Sequence, residues 1–293
     1  MREDICWSRD QRTETTFTIQ FFGDSIEDFM MASSSASNSD RTWFEHLSRT
    51  QTPSLRLFCF PYAGGTADVY RSWQRWFSPE IDLCLVHLPG RGRRMPEKPF
   101  TRIKSLVSAL APVIAPEIQV PYALYGHSMG AVISFELARD LVRTHGTGPE
   151  HLFVSGRRAP QWPKTEPPTY HLPQDEFIAE LKRLKGTPDE VLAHPELMDL
   201  FITVLRADFE MVDTYEFEQG PLLSSPITVY GGLSDEHVPA ESCRAWSEET
   251  SAACRTRMVQ GDHFFVRNPM PDFVNAFRQD VLTVASTPHV REM

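Results

Sequence analysis

The stretch YALYGHSMGAVISFELARDLVRTH (122–145) decides the fold. Its opening is a short apolar run ending at Gly126, the pattern of a buried strand. From Ser128 the period changes, and Met129, Val132, Ile133, Leu137 and Leu141 fall on one face of a helix. The join, Gly126-His127-Ser128-Met129-Gly130, is a G-x-S-x-G sequence. Between a strand and a helix such a sequence predicts a sharp turn that pushes the serine into a strained, exposed conformation. Glycines are needed on either side because a Cβ there would collide with neighbouring backbone. The helix behind Ser128 directs the positive end of its dipole at the same place.

On either side of this stretch the chain alternates in the same way. LRLFCF (55–60), IDLCLVHL (81–88), HLFVSG (151–156) and PITVYGG (226–232) are short apolar runs bounded by Pro or Gly, which suits fully buried parallel strands. Residues 66–77, 101–115 and 270–284 suit helices. Strands alternating with helices give crossover units and a mainly parallel sheet covered on both faces, an α/β fold. Joined to the serine turn, the pattern predicts the α/β-hydrolase fold, with a mostly parallel central sheet flanked by helices. The alternation breaks at about 160–220, where a Pro-rich segment precedes DEFIAELKRLKG and PELMDLFITVLRADFEMVDTYEF. Successive helices with no strand between them predict a helical lid inserted above the sheet.

The predicted domain runs over 51–290, with residues 1–50 as a flexible N-terminal extension. Residues 1–30 are acid-rich and lack the basic start and apolar core of a secretory signal. ASSSASNS (32–39) has the composition of a flexible tail. The compact part is expected to begin near Trp43; residues 1–30 are either an extension upstream of a translation start at Met31 or a disordered natural leader. The chain of 293 residues carries a net charge of −10, which disfavours a nucleic-acid partner. No apolar run reaches the roughly 18 residues of a membrane span. Five cysteines without a CxxC pair fit free thiols in a reducing compartment, so a cytoplasmic location is expected. No phosphate loop and no His/Cys cluster with ligand spacing occurs, so neither cofactor nor metal is expected.

A serine hydroxyl is a weak nucleophile and needs an adjacent base. In this fold the partners follow in the order serine, acid, histidine. Asp235, in GGLSDEHVP after the run 226–232, is the expected acid, and His263, in VQGDHFFV after the short segment RMV (257–259), the expected base. Glu236 and Asp262 are rival acids and His237 a rival histidine. His127 is expected to point into the packing with no catalytic role. A tetrahedral oxyanion also needs two N–H donors. These are expected from Met129, which follows the nucleophile, and from Ala63 in the loop Phe60-Pro61-Tyr62-Ala63-Gly64-Gly65, with Gly64 as the alternative.

FPYAGG, LPGRGRR with Glu97 following, YGHSMGA, LRADFEMVDTY, GGLSDEHV and GDHFF, taken together and in this order, resemble the type II thioesterases of polyketide and nonribosomal peptide assembly lines. The resemblance covers about residues 55–285. It implies hydrolysis of acyl groups from the phosphopantetheine arm of acyl or peptidyl carrier proteins, a triad of Ser128, Asp235 and His263, and an oxyanion hole at Ala63 and Met129. The segment before about Thr50 has no counterpart in the family pattern, and Gly261-Asp262 stands where Gly-Gly is common. Arg91, Arg93 and Arg94 form the densest basic cluster, on the face expected to carry Ser128. They are expected to meet the pantetheine phosphate or carrier carboxylates, the alternative being that they tie their loop to the body. Two further readings share the motif: an esterase or acyltransferase acting on small molecules with the same triad, and a ligand-binding relative that has lost catalysis.

Overall fold

The computed structural model describes residues 20–21, 24–25, 43–48, 50, 52–146, 148–186 and 195–287. The alternative start at Met31 and the tail at 32–39 lie outside the described residues. Seven strands form one sheet: β1 (Phe44–His46), β2 (Leu55–Phe60), β3 (Ile81–Val86), β4 (Tyr122–His127), β5 (His151–Ser155), β6 (Ile227–Gly232) and β7 (Cys254–Val259). Their spatial order is β1-β3-β2-β4-β5-β6-β7, and every pairing is parallel except that of β1 with β3. Apart from this sheet, Gln20–Phe21 pairs antiparallel with Asp24–Ser25.

The apolar runs became strands because both faces of the sheet are covered; every residue of β3, β4 and β6 is buried. On one face α1 (Ile103–Ile114) and α2 (Met129–His145) pack over Phe58, Phe60, Leu124, Val154 and Val229. On the other, α6 (Pro271–Ser286) and residues Ala67–Trp76 cover Leu57, Ala123, Tyr125 and Phe153. There Trp73 packs on Tyr125, Phe273 and Phe277 at 5.3, 5.5 and 5.3 Å between ring centres. Each such ring contributes roughly 1.5–3 kcal/mol by leaving water. The segment expected as an α-helix at 66–77 is a 3-10 helix over Ala67–Trp76.

The chain departs to β3 on one side of β2 and returns to β4 on the other. The carboxyl ends of β2 and β4 therefore flank a switch point, where open α/β sheets bind ligands. Between β5 and β6 the chain inserts α3 (Gln174–Leu184) and α4 (Pro195–Asp213). They pack on each other through Phe177 and Phe209, whose rings meet edge to face at 5.3 Å. A short helix α5 (Ala240–Arg244) follows β6.

The sheet also takes a strand from sequence that was assigned to the extension. Phe44, Glu45 and His46 pair with Val86, Leu85 and Cys84, and Phe44 packs edge to face on Phe58 at 5.6 Å. The folded unit thus includes Phe44–His46, before residue 51.

Candidate active site

Each group of the site sits where a strand delivers it. Ser128 caps α2 immediately after β4, with φ 54° and ψ −111°. Its N–H donates to the Ser155 carbonyl at 2.8 Å, and its own carbonyl accepts from the Ala131 N–H at 3.1 Å. The glycines around it answer to sterics: a Cβ on Gly126 would lie 2.0 Å from the Gly130 oxygen, and one on Gly130 would lie 2.3 Å from the Phe60 oxygen. No side chain fits at either position.

Asp235 follows β6 and His263 follows β7. His263 Nδ1 lies 2.7 Å from Asp235 Oδ2, and His263 Nε2 lies 3.1 Å from Ser128 Oγ. A carboxylate only accepts, so Nδ1 carries the proton and Nε2 is left to accept from the serine hydroxyl. Asp235 Oδ1 accepts from the His237 N–H at 3.0 Å. Burial pushes the Asp235 carboxyl up, but the hydrogen bond and charge of His263, with the His237 N–H, together hold it below the ordinary carboxylate value. The rivals are placed elsewhere. Glu236 is exposed, Asp262 accepts from the Phe264 N–H at 2.8 Å, and His237 takes part through its backbone.

His127 lies under this relay, fully buried, its Nδ1 2.8 Å from Ser155 Oγ and its ring 5.2 Å from that of His263. Burial, aided by the field of His263, holds it well below the usual histidine value. A neutral ring at this position does not repel an imidazolium forming on His263.

In the loop after β2, the Gly64 N–H donates to Asp208 Oδ2 at 2.7 Å. The alternative donor is thereby occupied. Among the described residues, neither the Ala63 nor the Met129 N–H has a hydrogen-bond acceptor. Asp208, on α4, is fully buried and also takes both Arg91 nitrogens, Nη1 at 2.5 Å and Nη2 at 2.7 Å. One carboxylate thus joins the inserted helix to two loops at the carboxyl ends of β2 and β3. Sequence reading missed it: LRAD was visible as a motif, but its partner lies 117 residues away.

The same contacts correct the docking expectation for Arg91 and Arg94. Arg91 is turned inward to Asp208. Arg94 is buried, bonded to Glu97 at 2.8 and 2.6 Å and to the His87 carbonyl at 3.0 Å, and stacked 3.8 Å above the Trp43 ring. Both tie the loop to the body, as buried guanidinium groups must find acceptors. Arg93 alone is exposed, and it pairs with Glu45.

Ser128 and His263 open into a cavity of about 430 Å³ whose far wall comes from the insertion, including Leu181, Leu205, Phe209 and Tyr215. Phe177, by contrast, is fully buried between α3 and α4.

A family profile described as Thioesterase domain matches residues 55–280. The chain is 43% identical over 224 residues to Gramicidin S biosynthesis protein GrsT of Aneurinibacillus migulanus, covering 76% of this chain and 88% of that one. It is 38% identical over 229 residues to Linear gramicidin dehydrogenase LgrE of Brevibacillus parabrevis, covering 77% and 87%. Among solved structures, YbtT, a type II thioesterase from the yersiniabactin NRPS/PKS biosynthetic pathway, matches with a TM-score of 0.74 at 29% identity, covering 84% of this chain and 100% of that one.

Proposed function

This chain belongs to the thioesterase domain family, and from that premise we propose that it hydrolyses acyl thioesters carried on the phosphopantetheine arm of acyl or peptidyl carrier proteins, clearing chains during polyketide or nonribosomal peptide synthesis. The observation that carries the reading is the continuous relay from Asp235 through His263 to Ser128, opening on a cavity with an apolar wall. The solved relative from an NRPS/PKS pathway supports the substrate class.

In this reading Ser128 Oγ attacks the thioester carbonyl carbon while His263 Nε2 takes its proton. The oxyanion is held by the N–H groups of Ala63 and Met129, beside the positive end of α2. The C–S bond then breaks, and the imidazolium returns its proton to the departing sulfur. A thiol has a pKa near about 8.5, so this step needs less acid assistance than release of an amine. Water, deprotonated by His263, cleaves the acyl-serine by the same steps. Asp235 keeps the imidazole in the tautomer that both halves require. The helices α3 and α4 serve as the lid that keeps the acyl chain from bulk water.

The dehydrogenase in one relative's name does not carry over. After β2 the chain reads Pro61-Tyr62-Ala63-Gly64-Gly65-Thr66-Ala67, without the G-x-G-x-x-G spacing that seats a dinucleotide pyrophosphate. No described helix is long and apolar enough to cross a membrane. The thiols of Cys59, Cys84, Cys243 and Cys254 are free, and that state supports a reducing, cytoplasmic setting.

Parallel rates on an acyl-carrier protein, the matching acyl-pantetheine and the matching p-nitrophenyl ester test the proposal. The highest kcat/KM is expected on the carrier-bound thioester. Ser128→Ala should lower kcat by several orders of magnitude, up to about 10⁶-fold. A preference for the free ester would favour the small-molecule esterase instead.

A further inference from the structure

The cavity wall carries four cations, Arg157, Arg158, Lys164 and Arg183. Three are answered by the chain. Arg158 donates to the His237 carbonyl at 2.6 Å and to Glu166 at 2.8 Å. Arg183 grips Glu180 with two bonds, at 2.8 and 2.6 Å. Lys164 caps the end of α4 through the carbonyls of Val212 and Asp213, at 3.3 and 3.0 Å, and that of Tyr215. The guanidinium of Arg157 has no hydrogen-bond or ion-pair partner among the described residues.

The polar groups nearest Arg157 are committed elsewhere. Asp213 Oδ2 accepts from the Thr169 N–H at 2.7 Å, the Tyr170 N–H at 3.2 Å and the Thr169 hydroxyl at 3.2 Å. The Tyr215 hydroxyl donates to Glu136 at 2.7 Å. Arg157 is partly buried, and burial draws its pKa below the ordinary guanidinium value despite the opposing fields of Tyr215, Asp213 and Glu166. A guanidinium offers five N–H donors in a fixed fork and stays protonated in proteins. A partly buried cation without a partner among the described residues is stabilised by an anion that arrives with the ligand.

Its position selects the anion. The backbone of this segment is pinned on both sides, the Gly156 N–H to the Tyr230 carbonyl at 3.0 Å and the Arg157 carbonyl to the Trp246 indole at 3.0 Å. Arg157 stands two residues after Ser155, whose carbonyl receives the Ser128 N–H at 2.8 Å. Two residues of chain span at most about 7 Å. Arg157 and Ser128 line one cavity, so an anion on an acyl chain held by Ser128 can meet the guanidinium there, whereas the pantetheine phosphate lies at the other end of a long arm. We propose that Arg157 is an anion-binding group inside the acyl cavity, selecting thioesters whose acyl chain carries a carboxylate. An acyl chain bearing an ammonium group is disfavoured by the same charge. The inference rests on the thioesterase reading and specifies its substrate class.

The test compares the N-acetylcysteamine thioester of glutarate, one end a free carboxylate, with that of glutaric monoamide, its uncharged isostere. Wild-type protein should favour the carboxylate in kcat/KM. In Arg157→Met the ratio of the two should fall by about tenfold or more, the effect of losing a charge-assisted hydrogen bond, and Arg157→Lys should retain part of it. A wild-type preference for the amide, or a ratio that Arg157→Met leaves unchanged, overturns the proposal. A second measurement needs only a reactive serine. Free glutarate should slow fluorophosphonate labelling of Ser128 in the wild type and not in Arg157→Met. If no thioester is cleaved but glutarate still protects through Arg157, the functional reading fails and the anion site stands; without protection in the wild type, the site fails.

Discussion

Ser128 holds a backbone conformation at φ 54° that costs a non-glycine residue about 1–3 kcal/mol. The cost is borne because β4 and α2 are each fixed by their own packing, and the approach of Gly126 to Gly130 leaves the turn no wider path. Such strain is legible in sequence, since it demands small residues at fixed offsets. Asp235 and His263 were legible for a related reason: each follows a strand, and strands of one parallel sheet end on one face. The arginines of the loop 91–94 were not, because a basic run reads alike whether it faces solvent or, like Arg91, a carboxylate beneath. The proposed role of Asp235 can be tested without removing any atom of bulk. In Asp235→Asn an amide can donate to His263 Nδ1, which favours the tautomer whose Nε2 carries hydrogen and can no longer accept from Ser128. The expected loss in kcat is about 10³–10⁴-fold at neutral pH, with KM little changed. A variant retaining a tenth of wild-type kcat in steady-state assays would remove Asp235 from the mechanism.

At the scale of elements, the insertion is more than a cover. The helix α4 was expected from its periodicity, and its LRAD sequence was read as a family signature, yet the physics of Asp208 emerges only when three segments meet. Its carboxylate holds Arg91 by two bonds and the Gly64 N–H by a third. It thereby fixes the loop whose Ala63 N–H is proposed for the oxyanion. Asp208→Ala should leave a buried guanidinium unpaired, at a cost of about 3–5 kcal/mol in stability. It should also loosen the oxyanion loop, lowering kcat by up to about 10²–10³-fold, the scale of one lost donor. Asp208→Asn keeps an acceptor for Gly64 and should recover more of kcat than of stability. Thermal unfolding and steady-state kinetics on the two variants separate these effects. If Asp208→Ala kept full kcat while losing stability, the residue would be a tether for Arg91 and nothing more.

For the whole molecule, alternation of apolar runs was enough to give a parallel sheet, because strands buried on both faces must be apolar throughout. The edge strand escaped that logic. Phe44–His46 is three residues long, pairs antiparallel, and leaves His46 exposed; a compact start near Trp43 is legible in the sequence, but so short a segment carries no strand pattern. Its anchor is electrostatic as well as apolar. Glu45 meets Arg71 at 2.6 Å and His87 at 3.1 Å, and also pairs with Arg93. Hydrogen bonds from His87 and Arg71, then the charge of Arg93, hold its carboxyl well below the ordinary glutamate value against the effect of burial. A chain beginning at residue 51 therefore loses the ring of Phe44 on Phe58 and these pairs, and it bares the backbone edge of β3. Relative to a chain beginning at residue 43, the expected deficit is roughly 2–4 kcal/mol. That corresponds to about 4–16 °C in Tm for a domain of this size. The exposed edge should also promote self-association. A depressed carboxylate stabilises fully above its unfolded pKa of 4.5, and that contribution fades as pH falls from there toward the folded value. The Tm gap between the two chains should thus be widest near neutrality and narrow below about pH 4.5. Equal Tm values for the two chains at pH 7 would place the true domain boundary after the strand.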